Sequence, residues 1–331
     1  ISMHTLITGA GGMIGRKLAA ELARTGTLGG NKIGRLTLVD VTQPPVPTGN
    51  IDSVDTIAAD ISASGVAEDL AARRPDVIFH LAAIVSGEAE RDFEKGYRIN
   101  LDGTRAIFEA IRLEGARQEY VPRLIFTSSI AVFGAPFPDK ISDEFFTTPR
   151  TSYGTQKAIV ELLLSDYSRR GFLDGVGIRL PTICIRPGRP NKAASGFFSS
   201  ILREPLAGQE VVLPVDESAR HWHASPRSAV RFLLQAAEMD TALLDTRRNL
   251  NMPGLSATVG EQIEALRRVA GDRAVALIRR EPDAMIAEMV ENWPKDFDTA
   301  RASALGFTAE DSFDAIIRVH IEDELDGQVR P

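Results

Sequence analysis

The stretch "LITGAGGMIG", residues 6–15, joins a short apolar run to the start of a helical pattern through Gly9, Gly12 and Gly15. Glycines three apart at such a junction permit a tight turn and let backbone approach a pyrophosphate. The helix that follows aims its positive end at the phosphates. Gly9, Gly12, Met13 and Ile14 are therefore candidate contacts to a dinucleotide. A glycine turn alone also suits a plain strand-to-helix connection, so the reading depends on its surroundings.

Those surroundings are regular. Short apolar runs at 4–10, 35–41, 54–60, 76–83, 123–129 and 175–181 alternate with segments of helical spacing. Near-continuous apolar strands separated by helices imply a parallel sheet covered on both faces. The predicted fold class is α/β, a Rossmann doubly wound parallel sheet. Beyond Pro181 the chain turns rich in Pro, Gly and basic residues, then helical at 196–204, 226–239, 258–270 and 310–325. The expected division is a nucleotide-binding domain over 1–181, with a return strand within 223–253. A smaller, discontinuous substrate-binding lobe takes 182–222 and 254–331.

The second strand ends in Asp40, where an acidic residue accepts hydrogen bonds from ribose hydroxyls. Neither Val41 nor Thr42 supplies the arginine that a 2′-phosphate would want, so the expected cofactor is NAD. Asp60, after the third strand and beside Ile61, suits the adenine edge or serves equally as an N-cap for the next helix. The small residues of "HLAA", with Leu81, Ala82 and Ala83 past the fourth strand, let a cofactor lie close to backbone.

Tyr153 and Lys157 in "TSYGTQKAIVELLL" (151–164) stand one helical turn apart and share a face. A free tyrosine titrates near ~10, and an ammonium beside it favours the phenolate. Such a base can take the proton of an alcohol while hydride leaves carbon. The strand ending "FTSS" supplies a hydroxyl for the reacting oxygen: Ser129, with Ser128 or Thr127 as alternatives. The rest of the helix is apolar on nearly every side, which requires burial on two faces. One face covers the sheet; the other meets a partner subunit or the second lobe.

TGAGGMIG, HLAA, TSSIAVFG, YGTQK and RLPTICIRPG, in that order, resemble the extended short-chain dehydrogenase/reductase superfamily, the group of NAD-dependent epimerases and dehydratases. The resemblance covers essentially the whole chain. It implies catalysis by Ser129, Tyr153 and Lys157, with Lys157 and Tyr153 also contacting the cofactor. It implies that Pro181, Thr182 and Ile183 line the nicotinamide pocket. It gives Asn100 a part in the proton path, although an N-cap explains that residue as well. It further implies a homodimer through 101–113 and 154–170.

Within that superfamily, "SGEAERDFEKGYRINLDGTR" and "RLPTICIRPGRPNKAASGF" resemble a branch that oxidises C2 of a four-carbon sugar acid. On that likeness Ser86, Asn191, Ser195 and Arg220 join Ser129 and Tyr153 as substrate contacts. Arg186, Arg189, Lys192, Arg220 and Arg227 suit a carboxylate or phosphate, or are loop charges paired with Asp216 and Glu217. Phe133 stands where relatives that act on sugar nucleotides often carry tyrosine, and Thr182 lies in "RLPT", where they often carry asparagine. Both argue against a sugar nucleotide. An epimerase or dehydratase retaining its NAD is the alternative, and a non-catalytic NAD sensor the second.

Composition bounds the rest. A formal charge of -7 and a pI near 5.4 argue against nucleic acid or an anionic membrane as partner. The single cysteine, Cys184, excludes a disulfide framework and points to a reducing, cytoplasmic setting. No apolar run approaches a membrane span, and the opening "ISMHTLITGAGG" lacks the pattern of a secretory signal. "HWH" at 221–223 puts two imidazoles on one side of an extended segment without the spacing of a zinc site, so no metal is expected.

Overall fold

Chain segments that bury every side chain become central strands, and the computed structural model, which describes residues 2–189 and 194–330, shows them as such. Two units emerge, one from residues 1–132, 147–180 and 230–251, the other from 133–146, 181–229 and 252–331. The 133–146 segment thus groups with the second unit, away from the strand it follows.

The first unit is built on Met3–Thr8 (β1), Thr27–Leu28 (β2), Asn31–Asp40 (β3), Ser53–Ala58 (β4), Val77–His80 (β5), Arg123–Ser129 (β6) and Asp174–Leu180 (β7). A return strand, Asn249–Asn251, lies parallel to β7. The parallel order is return strand, β7, β6, β5, β1, β3, β4, with β2 antiparallel on the start of β3. From β1 the chain runs to β3 and β4 on one side and then crosses to β5 on the other. The strand order therefore reverses beside β1, where open α/β sheets bind ligands at the carboxyl ends of their strands.

Helices Met13–Thr25 (α1), Val66–Ala72 (α2), Ser86–Arg91 (α3), Phe93–Gly96 (α4), Thr104–Arg117 (α5) and Ser152–Arg169 (α6) connect these strands. Leu70, Ile107, Phe108, Ile111, Val160 and Leu164 pack with Leu6, Ile78, Leu124 and Phe126 into one continuous core. Between α4 and α5 the residues Tyr97–Gly103 form a π-helix, which the sequence pattern did not reveal.

Helix α6 corrects the reading of an all-round apolar helix. Its buried positions include Gln156, Lys157, Glu161 and Ser168, while Leu162 is 71% exposed. The polar residues face inward because they find one another and the strand ends there. Leu164 seats against β7 at Gly175, where a Cβ would lie 2.6 Å from Leu164 Cδ1. Glycine at that position sets how closely α6 approaches the sheet.

The second unit is smaller-scaled. Thr182–Ile183, Arg220–Ala224 and Leu255–Thr258 make one sheet, and Val211–Leu213 pairs with Ile278–Arg280 in another. Phe197–Leu206, Val259–Ala270 and Phe313–Glu324 are its principal helices. Thr258 and Glu261 close a reciprocal capping box on the second of these. Leu202, Leu206, Ile263, Leu266, Ile316 and Ile317 form its core. Strand Ile278–Arg280 and helix Ala284–Glu291 carry no clear period in the sequence and were not foreseen. Among the described residues no helix is long and apolar enough to cross a membrane.

Truncating Leu164, fully buried on β7, leaves a cavity that α6 cannot collapse into without moving Lys157. Leu164→Ala should cost about 2–5 kcal/mol of stability in a denaturant titration. A loss under about 1 kcal/mol would mean that α6 is not held by this contact.

Candidate active site

The glycine loop folds as its spacing suggests. Gly9 has φ +71°, and a Cβ there would lie 2.7 Å from Ala82 N. Only glycine lets the end of β1 pass this close to the chain leaving β5. Helix α1 opens at Gly12 without a side-chain cap, so its first-turn amides at Met13 and Ile14 are available to an anion. Asp40 ends β3 with its carboxylate turned to the loop, accepting from Gly11 N at 2.8 Å and Val41 N at 2.7 Å. A glycine cradle, an uncapped helix start and a strand-end carboxylate together fit a dinucleotide.

Asp60 is not an N-cap, because helix α2 begins at Val66 and its N-cap is Gly65. Its Oδ1 accepts from Ser62 N and Ser62 Oγ, and its Oδ2 meets Arg98 at 3.1 Å. The bond from the Ser62 hydroxyl, ahead of the Arg98 charge, holds this carboxyl below its usual range. Ile61 beside it is buried.

Past β5 the chain is fixed by a directed set of hydrogen bonds. Thr104 Oγ1 donates to Asn100 O at 3.0 Å, so it accepts from His80 Nε2 at 2.8 Å. His80 Nδ1 must then accept from Thr8 Oγ1 at 2.7 Å, and Thr8 Oγ1 accepts in turn from Ala82 N at 3.2 Å. Burial, then the Lys157 charge, lowers His80 to about 3, so the ring is neutral. This chain seats Leu81–Ala83 over the glycine loop.

Asn100 is not an N-cap either. It lies inside the π-helix, where its Oδ1 accepts from Ile84 N at 2.9 Å. Its Nδ2 donates to Ile84 O at 3.2 Å and to Gln156 Oε1 at 2.8 Å. Asn100 thereby ties the chain after β5 to α6. Ser86, exposed at the start of α3, follows directly.

Strand alternation sorts the hydroxyls at the end of β6. Ser128 points inward and donates to Glu161 Oε2 at 2.5 Å. Thr127 Oγ1 donates to His80 O at 3.4 Å, and Thr127 O accepts from Lys157 Nζ at 2.7 Å. Ser129, half-buried on the opposite side, accepts from Ala131 N at 3.1 Å, a bond that does not use its own proton. The geometry favours Ser129 over its two neighbours as donor to a ligand.

Helix α6 begins with a Thr151 cap that accepts from Gly154 N at 3.0 Å. Tyr153 is therefore in its first turn, half-exposed, and Lys157 one turn deeper. Lys157 Nζ sits 5.4 Å from the centre of the Tyr153 ring and 4.8 Å from that of Phe126. Burial pulls Lys157 down to about 7, against the pull of Glu161 the other way. Ser129, Tyr153 and Lys157 belong to one unit, and Lys157 on α6 is held beside the Tyr153 ring and on Thr127 O, two residues before Ser129 on β6.

The second-unit residues are distributed differently. Thr182 Oγ1 lies 2.6 Å from His221 Nε2, and His221 Nδ1 donates to Pro294 O at 2.8 Å. His221 and His223 are buried beside one another among Phe198 and Phe313, and burial lowers both. No metal-ligating group occurs among the described residues. Pro181 and Ile183 are buried. Arg220 meets Ser256 and, at 3.1 Å, Glu261, so the helix-capping segment engages it. Arg227 pairs with Glu322 and Asp323, not with Asp216 or Glu217. Ser195 is exposed in the turn Ala194–Gly196. Asn191 and Lys192 lie outside the described residues; Arg186 and Arg189 are exposed.

Sequence reasoning missed His80, Gln156, Glu161 and Arg179. Only Glu161 left a signal: it continues the Tyr153–Lys157 stripe at the same four-residue step.

A Rossmann unit with a strand-end serine and a Tyr-x-x-x-Lys helix defines an NAD-using oxidoreductase. The model of the NAD dependent epimerase/dehydratase family matches residues 5–247, and the chain belongs to that family. It is 46% identical over 326 residues to the D-erythronate dehydrogenase of Cupriavidus necator, covering 97% of this chain and 98% of that protein. It is 41% identical to the enzyme of the same name from Haemophilus influenzae, covering 98% of this chain and 100% of that one. The crystal structure of a protein named nucleoside-diphosphate-sugar epimerase, from Agrobacterium tumefaciens, superposes with a TM-score of 0.98 at 68% identity, covering 99% of this chain and 96% of that one.

Lys157 titrates near ~10.4 in an unfolded chain but is held to about 7 in the fold. Between those values the unfolded state carries the extra proton, so this group favours folding increasingly as pH rises. The stability of the wild type relative to Lys157→Met should climb from pH 7 towards pH 10, by up to about 1.4 kcal/mol per pH unit. Below about pH 6 it should be flat. A difference that is flat throughout would mean that Lys157 keeps its ordinary pKa.

Proposed function

We propose that this protein oxidises the C2 hydroxyl of a small sugar acid, D-erythronate, to the 2-keto acid with NAD. The observation that carries the reading is Lys157 fixed on Thr127 O, two residues before Ser129 on the same strand, and beside the Tyr153 ring. The names of the Cupriavidus and Haemophilus relatives supply the substrate.

In this mechanism Ser129 donates to the substrate oxygen and holds it against Tyr153. Tyr153, as phenolate, takes the hydroxyl proton. The Lys157 ammonium stabilises that phenolate and binds the nicotinamide ribose. Gly9, Gly12, Met13 and Ile14 hold the pyrophosphate, Asp40 the adenosine ribose, and Asp60 with Ile61 the adenine. Leu81–Ala83, Asn100, Pro181, Thr182 and Ile183 complete the binding surface. NAD, when bound, supplies the acceptor for the hydride that leaves C2.

The second unit is the substrate-binding lobe in this reading. Ser86, Asn191, Ser195 and Arg220 contact the sugar acid, Arg220 sharing its guanidinium between Glu261 and the carboxylate. Leu113 on α5 and Leu162 on α6 are exposed apolar residues suited to a homodimer interface. Cys184 is buried and its thiol is pushed up to about 12 by that burial, which suits a cytoplasmic protein without disulfides.

The name of the Agrobacterium protein favours a second reading, a sugar-nucleotide epimerase that keeps its NAD. The absorbance of NADH separates the two. Purified protein with NAD and D-erythronate should accumulate NADH steadily, whereas conversion of a UDP-hexose without net NADH would replace the dehydrogenase by the epimerase. Tyr153→Phe should lower turnover by roughly 10²–10⁴-fold with NAD affinity little changed. Near-normal turnover in that variant would remove Tyr153 as the base.

A further inference from the structure

Two buried charges, Glu161 and Arg179, sit behind the Ser–Tyr–Lys set. Tyr153, Lys157 and Glu161 follow one another at four-residue intervals along the inner side of α6. Glu161 is 3% exposed and its carboxylate is fully engaged. Arg179 from β7 grips it in a fork, Nη2 to Oε1 at 2.7 Å and Nε to Oε2 at 2.9 Å. Ser128 adds the bond to Oε2, and Arg179 Nη1 reaches Asn251 Oδ1 at 3.1 Å on the return strand.

We propose that Glu161 is a positioning residue of the reaction: its carboxylate keeps Lys157 charged, and through Ser128 it sets the end of β6 that presents Ser129. The inference rests on the Ser–Tyr–Lys reading above.

The surroundings of Lys157 explain why a distant carboxylate matters. Its ammonium has one hydrogen-bond acceptor, Thr127 O, and two aromatic faces, Phe126 and Tyr153. From β5 it faces His80, which is neutral; from α6, Tyr153 and Glu161; Arg179 comes from β7 behind Glu161. Among these described residues Glu161 is therefore the anion on this side, and its charge acts against the effect of burial on Lys157. Stability does not call for such an ion pair, since a buried pair replaced by apolar residues is often neutral or favourable. When Lys157 loses its proton before Tyr153 does, the pair holds the wrong proton and the base is lost.

The test compares Glu161→Gln, Arg179→Gln and the double variant through the pH profile of kcat/KM. Glu161→Gln should move the acidic limb to lower pH by about one unit and lower the plateau roughly tenfold. Its NAD dissociation constant should remain near wild type. The double variant, which leaves neither member of the Glu161–Arg179 pair without its partner, should move the limb in the same direction even where a single variant folds poorly. Arg179→Gln breaks the same pair but keeps the carboxylate, so it should not lower the limb. An unmoved limb in Glu161→Gln or the double variant, or an equal downward shift in Arg179→Gln, would overturn the proposal. Tyr153→Phe is assayed alongside. Loss of turnover there with an unmoved limb in Glu161→Gln refutes the role of Glu161 alone, while retained turnover refutes the mechanism beneath it.

Discussion

The hydrogen bond from Lys157 Nζ to Thr127 O is the constraint around which the first unit is arranged. An ammonium buried under a helix has lost its water, and each missing contact is costly. It is tolerated here because a strand carbonyl, two rings and a carboxylate one turn away replace the solvent. The same bond fixes α6 against the end of β6, the strand that ends in Ser129. Lys157 thus sets the seating of the helix that carries it.

Around that bond the interior is polar where the core of such a domain is usually apolar. Glu161 with Arg179, Asn100 with Gln156, and His80 between Thr8 and Thr104 form three sets of buried contacts. Each joins at least two different chain segments, so each fixes a direction that apolar packing would leave loose. Buried polar groups that find their partners specify geometry more than they add stability. The apolar core shared by α2, α5, α6 and the sheet supplies the driving force for folding; the polar sets decide where the strand ends point.

The sequence relatives and the structural neighbour carry different names, one set a sugar-acid dehydrogenase and the other a sugar-nucleotide epimerase. One physical difference between those activities is whether reduced cofactor leaves or is retained. A fold of this kind hosts both chemistries, and function follows the site grafted onto it. In the second unit two of the cations named from sequence are engaged by carboxylates: Arg220 by Glu261, Arg227 by Glu322 and Asp323. Their availability to an anion depends on those partners.

Much was legible in the chain itself, for local reasons. Strand and helix periods show in a few residues, and so the parallel sheet, the glycine loop and Asp40 could be read directly. Tyr153 and Lys157 share a helix face by spacing alone. What the sequence left open involved residues far apart along it. Thr127, Ser128 and Ser129 are equivalent as letters. They are separated by the Ser128 bond to Glu161, 33 positions away, by the Thr127 bond to His80 O, and by the strand pleat that turns Ser129 away from the side of Ser128. Asn100 reads as a cap until Ile84 and Gln156 are seen to hold its amide. Glu161 looks like one acid in an apolar helix until Arg179 arrives from the next strand. Period and propensity act over a turn or two of chain, so sequence determines elements and local pairs. Partnership of buried charges and hydroxyls depends on which segments the sheet places side by side, and that only the tertiary structure decides.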